Sequence, residues 1–189
     1  TFVDTMGWSG TASRSIFVNN VSAGRLTGTA FGWYTNGSLT IENTTINGFR
    51  TGGSLGIYVV PNGPSSITLR NLTLTDVSSG TGAAIGAVTG GHNITVTLDN
   101  VKVSGGIRGI VIDATAGGFA RINIENSSFT NIIGPAIFGS AGSGNIRLYL
   151  DNVSATNSNI GIVLAGANAL AWMTQSKIAG NAIGIQQAS

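Results

Sequence analysis

The chain has 189 residues, of which 8% are charged, with a formal net charge of +2, 29 Gly, 3 Pro and no Cys. That length is enough for one domain, 1–189, with its own core, and a charged fraction far below the usual ~25% argues against disordered and nucleic-acid-binding chains. No Lys/Arg run is present to grip a phosphate backbone, and the lack of Cys removes disulfides, thiolate metal sites and Cys nucleophiles.

The first candidate strand is 2-FVDTM-6. One frame then recurs along the chain: 15-SIFVNNVSAG-24, 38-SLTIENTTING-48, 66-SITLRNLTLTD-76, 95-TVTLDNVKVSG-105, 121-RINIENSSFTN-131, 146-IRLYLDNVSATN-157 and 170-LAWMTQSKIAGN-181. Each copy is an alternating strand, a polar pair and a second alternating strand. The anchors are Asn20, Asn43, Asn71, Asn100, Asn126, Asn152 and the variant Gln175, spaced 23 to 29 residues apart. Some ten to fourteen residues after most anchors a third apolar piece follows: 30-AFGW-33, 56-GIYVV-60, 84-AIGAV-88, 109-GIVI-112, 136-AIF-138, 161-GIVL-164 and 183-IGI-185.

Alternation before the anchor predicts an inner face made of Leu39 and Ile41, Ile67 and Leu69, Val96 and Leu98, Ile122 and Ile124, and Leu148 and Leu150. After the anchor, Leu72 and Leu74, Val101 and Val103, and Val153 and Ala155 point inward. The inward parity slips by one across the polar pair, which predicts a tight bend there. Asn is the non-Gly residue that best tolerates the left-handed conformation of such a bend. The longest apolar run, 160-IGIVLAGANALAWM-173, is shorter than the ~20 residues of a membrane span and is interrupted by Gly and Asn, so it reads as core and no membrane span is expected.

Three short strands per repeat without helical periodicity predict an all-β solenoid of parallel sheets, with about seven rungs at ~4.8 Å each. The repeat resembles the right-handed, single-stranded parallel β-helices of the pectin-lyase-like superfamily. It is particularly similar to bacterial secreted β-helix repeat proteins, through units such as 98-LDNVKVSGGIRGIVI-112. The similarity extends over nearly the whole chain. It implies an Asn ladder at the bend between the second and third sheets, and an extracellular or cell-surface location.

The best-known members of that superfamily are polysaccharide lyases and hydrolases, whose clustered carboxylates and Arg or Lys lie on the first sheet. The matching outward positions here hold Tyr58, Val60, Val88, Val111 and Val163, so Arg108 and Asp113 are the catalytic candidates, against the competing reading of an ordinary surface charge pair. No cofactor is implied by this set. The lone His92 has no companion ligand and reads as solvated. The residue before each anchor forms the column Asn19, Glu42, Arg70, Asp99, Glu125, Asp151 and Thr174. Glu42 and Asp99 should flank Arg70, while Asp99, Glu125 and Asp151 stack without a cation and are Ca²⁺ candidates, unless they splay into water. On the outer face of the second sheet, Arg147, Tyr149 and Trp172 are candidates for a flat carbohydrate-binding platform. The outer face of the third sheet, with Thr45, Thr73, Thr75, Ser104, Ser128, Thr130, Ser154 and Thr156, has the hydroxyl character of an ice-binding face, interrupted by Lys102 and Lys177.

These features favour a non-catalytic structural or adhesive scaffold that associates with itself, end to end or through its first sheet. Polysaccharide binding or cleavage is the alternative, and ice binding a distant third. The two solenoid ends expose strand edges that an excised fragment, terminal loops or subunit stacking would each explain. Seven Asn lie in N-x-S/T triplets. Five of them, Asn20, Asn43, Asn71, Asn126 and Asn152, are anchors whose amides are expected to turn inward, which leaves Asn36 and Asn93 as glycan acceptors.

Overall fold

A computed structural model of the chain describes residues 6–9, 14–19, 22–24, 29–48, 55–77 and 82–188. The described residues form strands and connecting turns only. The first turn holds β1 (Met6–Ser9), β2 (Arg14–Asn19) and β3 (Ser22–Gly24), and the next two hold β4 (Thr29–Tyr34) with β5 (Gly37–Asn47) and β6 (Leu55–Val59) with β7 (Ser65–Thr75). Then come β8 (Ile85–Val88) with β9 (Asn93–Ser104), followed by β10 (Ile110–Asp113), β11 (Phe119–Glu125) and β12 (Ser128–Thr130). The last strands are β13 (Pro135–Ser140), β14 (Asn145–Asp151), β15 (Ser154–Thr156), β16 (Ile160–Ala165), β17 (Ala169–Thr174), β18 (Lys177–Ala179) and β19 (Ile183–Ala188).

Every pairing is parallel and joins one turn to the next, giving a solenoid of about 6 turns. The first sheet runs β1-β4-β6-β8-β10-β13-β16-β19. The second and third sheets, expected as separate layers, are joined where β5, β7 and β9 pass through the bend as continuous strands, and separate again in the later turns. A bend of one left-handed residue is short enough to leave the pairing on both sides intact.

The predicted inner residues are buried: Ile41, Leu69, Leu98, Ile122, Ile124 and Leu148 are at 0% exposure. Each such Leu or Ile contributes roughly 1.5–3 kcal/mol by leaving water. Phe31, Ile57, Ile85, Ile110, Ile137, Ile162 and Ile185 stack as one apolar column along the inner face of the first sheet. The residues just before them, Ala30, Gly56, Ala84, Gly109, Ala136, Gly161 and Gly184, are all small. At Gly109 the reason is steric, because a Cβ there would fall on the Ala136 carbonyl oxygen and the Phe129 ring.

The bend is where the parity slip put it. Asn43, Asn71, Asn100, Asn126, Asn152 and Gln175 all have positive φ, between 49° and 53°. A second left-handed corner, unforeseen from the sequence, lies five residues further on in each turn, at Gly48, Asp76, Gly105, Asn131, Asn157 and Gly180. All six are residue types that reach this region at low cost.

The Asn ladder joins Asn43, Asn71 and Asn100, and Asn126 with Asn152, with corrections to what was expected; at the first rung the partner is Asn19, the residue before the anchor. Asn43 donates its Nδ2 to Asn19 Oδ1 at 2.9 Å, Asn71 to Asn43 at 3.0 Å, Asn100 to Asn71 at 2.9 Å and Asn152 to Asn126 at 3.0 Å. Asn126 does not bond to Asn100; it donates to Asp99 Oδ1 at 3.0 Å. Nor are these amides buried: Asn43, Asn71, Asn100, Asn126 and Asn152 are all exposed, because the left-handed residue projects outward on the convex side of the bend. Gln175 keeps the backbone of the bend, but no hydrogen bond joins it to Asn152. Asn20 lies outside the described residues.

Candidate functional site

The outward column of the second sheet is built by register, with Asn123 beside Tyr149 and Tyr149 beside Trp172. Tyr149 and Trp172 stack with ring centroids 4.9 Å apart and planes 10° apart. Arg121, from the preceding turn, places its guanidinium 5.2 Å from the Tyr149 ring centre. The rings therefore stand on edge, one behind the next along the solenoid. Tyr149 is covered by Arg121 on one side and by Trp172 on the other, so the expected flat platform is not formed.

Arg147 is not part of this column. Its Nη1 donates to the carbonyls of Ile146, at 3.1 Å, and Asn168, at 3.2 Å, which ties the β14 strand to the turn ahead of β17. Sequence reasoning missed Arg121 as the cation on Tyr149. The signal was present in its place two residues ahead of Asn123, diagonal to Tyr149 across one rung.

Beside the ring edges is a shallow depression of about 130 Å³ lined by Asn123, Glu125, Tyr149, Asp151, Trp172 and Thr174. Its polar rim comes from the residues before the bend. Glu125 is in register with both Asp99 and Asp151, as the column predicted. Asp99 and Asp151, however, are engaged along the rungs. Arg70 bridges Glu42 at 3.0 Å and Asp99 at 3.5 Å, Asp99 also accepts from Asn126, and Asp151 Oδ1 accepts from Thr174 Oγ1 at 2.7 Å. Among the described residues no three His, Cys, Asp or Glu side chains converge as a metal site.

On the first sheet, Arg108 lies two residues ahead of β10 and Asp113 ends that strand. Arg108 lies 5.8 Å from the Phe138 ring centre. Asp113 Oδ1 accepts from the Thr115 backbone N–H at 2.8 Å and from its hydroxyl at 2.6 Å, closing the turn after the strand. Tyr34 and Tyr58 meet edge to face at 6.1 Å. Burial, then Tyr34, then Asp113 push the Tyr58 phenol above its ordinary value of 10.0. Val163, expected outward, is only 6% exposed.

The third-sheet hydroxyl columns are in register, Thr45 on Thr73 and Ser128 on Ser154, and Lys102 and Lys177 interrupt them as anticipated. His92 is half-buried, in a turn closed by its backbone N–H donating to the Thr89 carbonyl at 2.9 Å. No described helix is long and apolar enough to cross a membrane. No protein-family model matches the chain, and neither the curated proteins nor the solved structures give a match.

Proposed function

We propose that this solenoid is a non-catalytic scaffold of the cell exterior, structural or adhesive, related to the secreted β-helix repeat proteins it resembles. One observation carries this reading: most of the charged side chains that chemistry would need are tied into contacts within the scaffold instead. Arg70 joins Glu42 to Asp99, Arg147 grips two carbonyls, Arg121 covers Tyr149 and Asp113 closes its own turn. Such contacts stiffen a rod whose turns touch only their neighbours. A glycan array combined with an assay for unsaturated or hydrolysed sugar products tests the proposal. Silence in both is expected, and turnover of any polysaccharide would overturn it.

The depression beside Tyr149 and Trp172 favours a second reading, in which the same scaffold binds polysaccharide. Ring edges flanked by an amide, two carboxylates and a hydroxyl offer apolar contact and acceptors to sugar hydroxyls. In that case a defined array signal appears and is lost in both Tyr149→Ala and Trp172→Ala.

A further inference from the structure

The outer face of the second sheet carries three columns, set by the parallel register of β9, β11, β14 and β17. Thr95, Arg121 and Arg147 stand in the first, Thr97, Asn123, Tyr149 and Trp172 in the middle, and Asp99, Glu125 and Asp151 in the third. Cations therefore line one side of the aromatic pair and carboxylates the other. Four residues of extended strand hold the two charged columns about 13 Å apart, with Asn123 or Tyr149 between them. Among the described residues no ion pair links Arg121 or Arg147 to a carboxylate, or Glu125 or Asp151 to a cation. Arg121, Glu125 and Asp151 are exposed.

This pattern is complementary to itself under one symmetry. A second copy laid face to face on the sheet, turned half a revolution about an axis parallel to the solenoid and above the middle column, runs its strands the opposite way at equal rung heights. Arg121 of each copy then faces Glu125 of the other, and Arg147 faces Asp151. One turn earlier Thr95 meets Asp99, and before that Ser66 meets Arg70, so no like charges oppose each other. The Tyr149 and Trp172 rings of both copies come together at the centre. A two-fold axis along the strands would instead set each column against itself, Arg against Arg and Glu against Asp, and like-charge repulsion disfavours that packing. The face from β5 to β17 is six strands wide, about 29 Å, and about 23 Å along a seven-residue strand such as β11, or roughly 670 Å² before side-chain relief is counted. That approaches the ~800 Å² per partner of a standard interface.

Building on the scaffold reading, we propose that two copies of this chain pair back to back through the second sheet, the Arg121 and Arg147 column of each against Glu125 and Asp151 of the other. Such a contact is isologous and closes at a dimer. It covers the depression beside Tyr149 and Trp172, so it excludes polysaccharide binding at that face.

Sedimentation velocity over a concentration series tests the proposal. The unmodified chain should pass from monomer to twice the chain mass and stop there. Arg121→Glu and Glu125→Arg each set like charges against each other across the axis, and each should raise the dissociation constant roughly tenfold or more. Both positions are exposed, so the β-type circular dichroism spectrum should be unchanged. Mixed one to one, the two variants oppose unlike charges at both contacts, and the mixture should dimerise again where each variant alone does not. A monomer at every concentration of the unmodified chain would overturn the proposal. So would a dimer that both single variants leave intact, or a mixture that stays monomeric. Polysaccharide turnover would instead sink the scaffold reading and leave the dimer standing, so the two fail separately.

Discussion

Asn126 donates its side-chain amide to Asp99 and passes over Asn100, its neighbour at the bend one turn earlier. Asp99 thus holds two partners, since its other oxygen faces Arg70 at 3.5 Å. Asp99→Ala removes both contacts and should cost about 1–2 kcal/mol. Asp99→Asn retains an acceptor for Asn126 and loses only an exposed ion pair, so its cost should stay below about 1 kcal/mol. Urea unfolding midpoints of the two variants measure the difference.

At Asn71 the left-handed backbone and the ladder can be separated. Asn71→Gly keeps φ at low cost while losing the bonds to Asn43 and Asn100, for a loss of about 1 kcal/mol. Asn71→Ala loses the same bonds and adds a left-handed penalty of about 1–2 kcal/mol. The Ala variant should therefore have the lower unfolding midpoint. Equal midpoints would mean that φ at the bend imposes no penalty on Ala.

Gly109→Ala should destabilise by about 1–3 kcal/mol, because the added methyl meets a backbone carbonyl that cannot rotate away. Thermal unfolding followed by circular dichroism would register the loss as a lower Tm.

Tyr58 supplies a pH dependence. Its folded phenol holds its proton more tightly than in the unfolded chain, with burial as the largest cause. The associated stability is therefore complete below pH 10, the unfolded value, and is lost as pH rises through the folded one. Absorbance titration near 295 nm should show one tyrosine ionising late. Asp113→Asn should move that transition part of the way back and leave the larger burial effect in place.

Much of the fold was legible because the repeat acts on the whole chain at once. Alternation set the buried face of β7, β9 and β11, and the parity slip located the bend at Asn71, Asn100 and Asn126. The second corner was missed because Gly48, Asp76, Asn131 and Asn157 are three different residue types. They share a tolerance for positive φ but no letter. The inward turn expected of the ladder amides failed for a geometric reason: alternation describes β-strands, and a left-handed residue is outside that rule.

The site candidates were harder to read, because a register gives columns but not side-chain directions. It correctly put Tyr149 beside Trp172 and Glu125 between Asp99 and Asp151. It could not say that Arg147 would fold back on two carbonyls while Arg121 reached Tyr149, since both lie in one outward column. Long flexible side chains choose among nearby partners by local desolvation and hydrogen bonding, which strand periodicity does not encode.

The constant interval of five residues between the two left-handed corners works as a caliper. From Asn43 to Gly48 and from Gln175 to Gly180 its jaws never open or close, while the unequal anchor spacings show that chain length is gained or lost elsewhere in each turn. Foreign peptide grafted into the turn between Asp113 and Phe119 would leave the caliper untouched. One residue inserted between Asn126 and Asn131 would instead turn the side chains of β12 to the opposite face as far as the second corner.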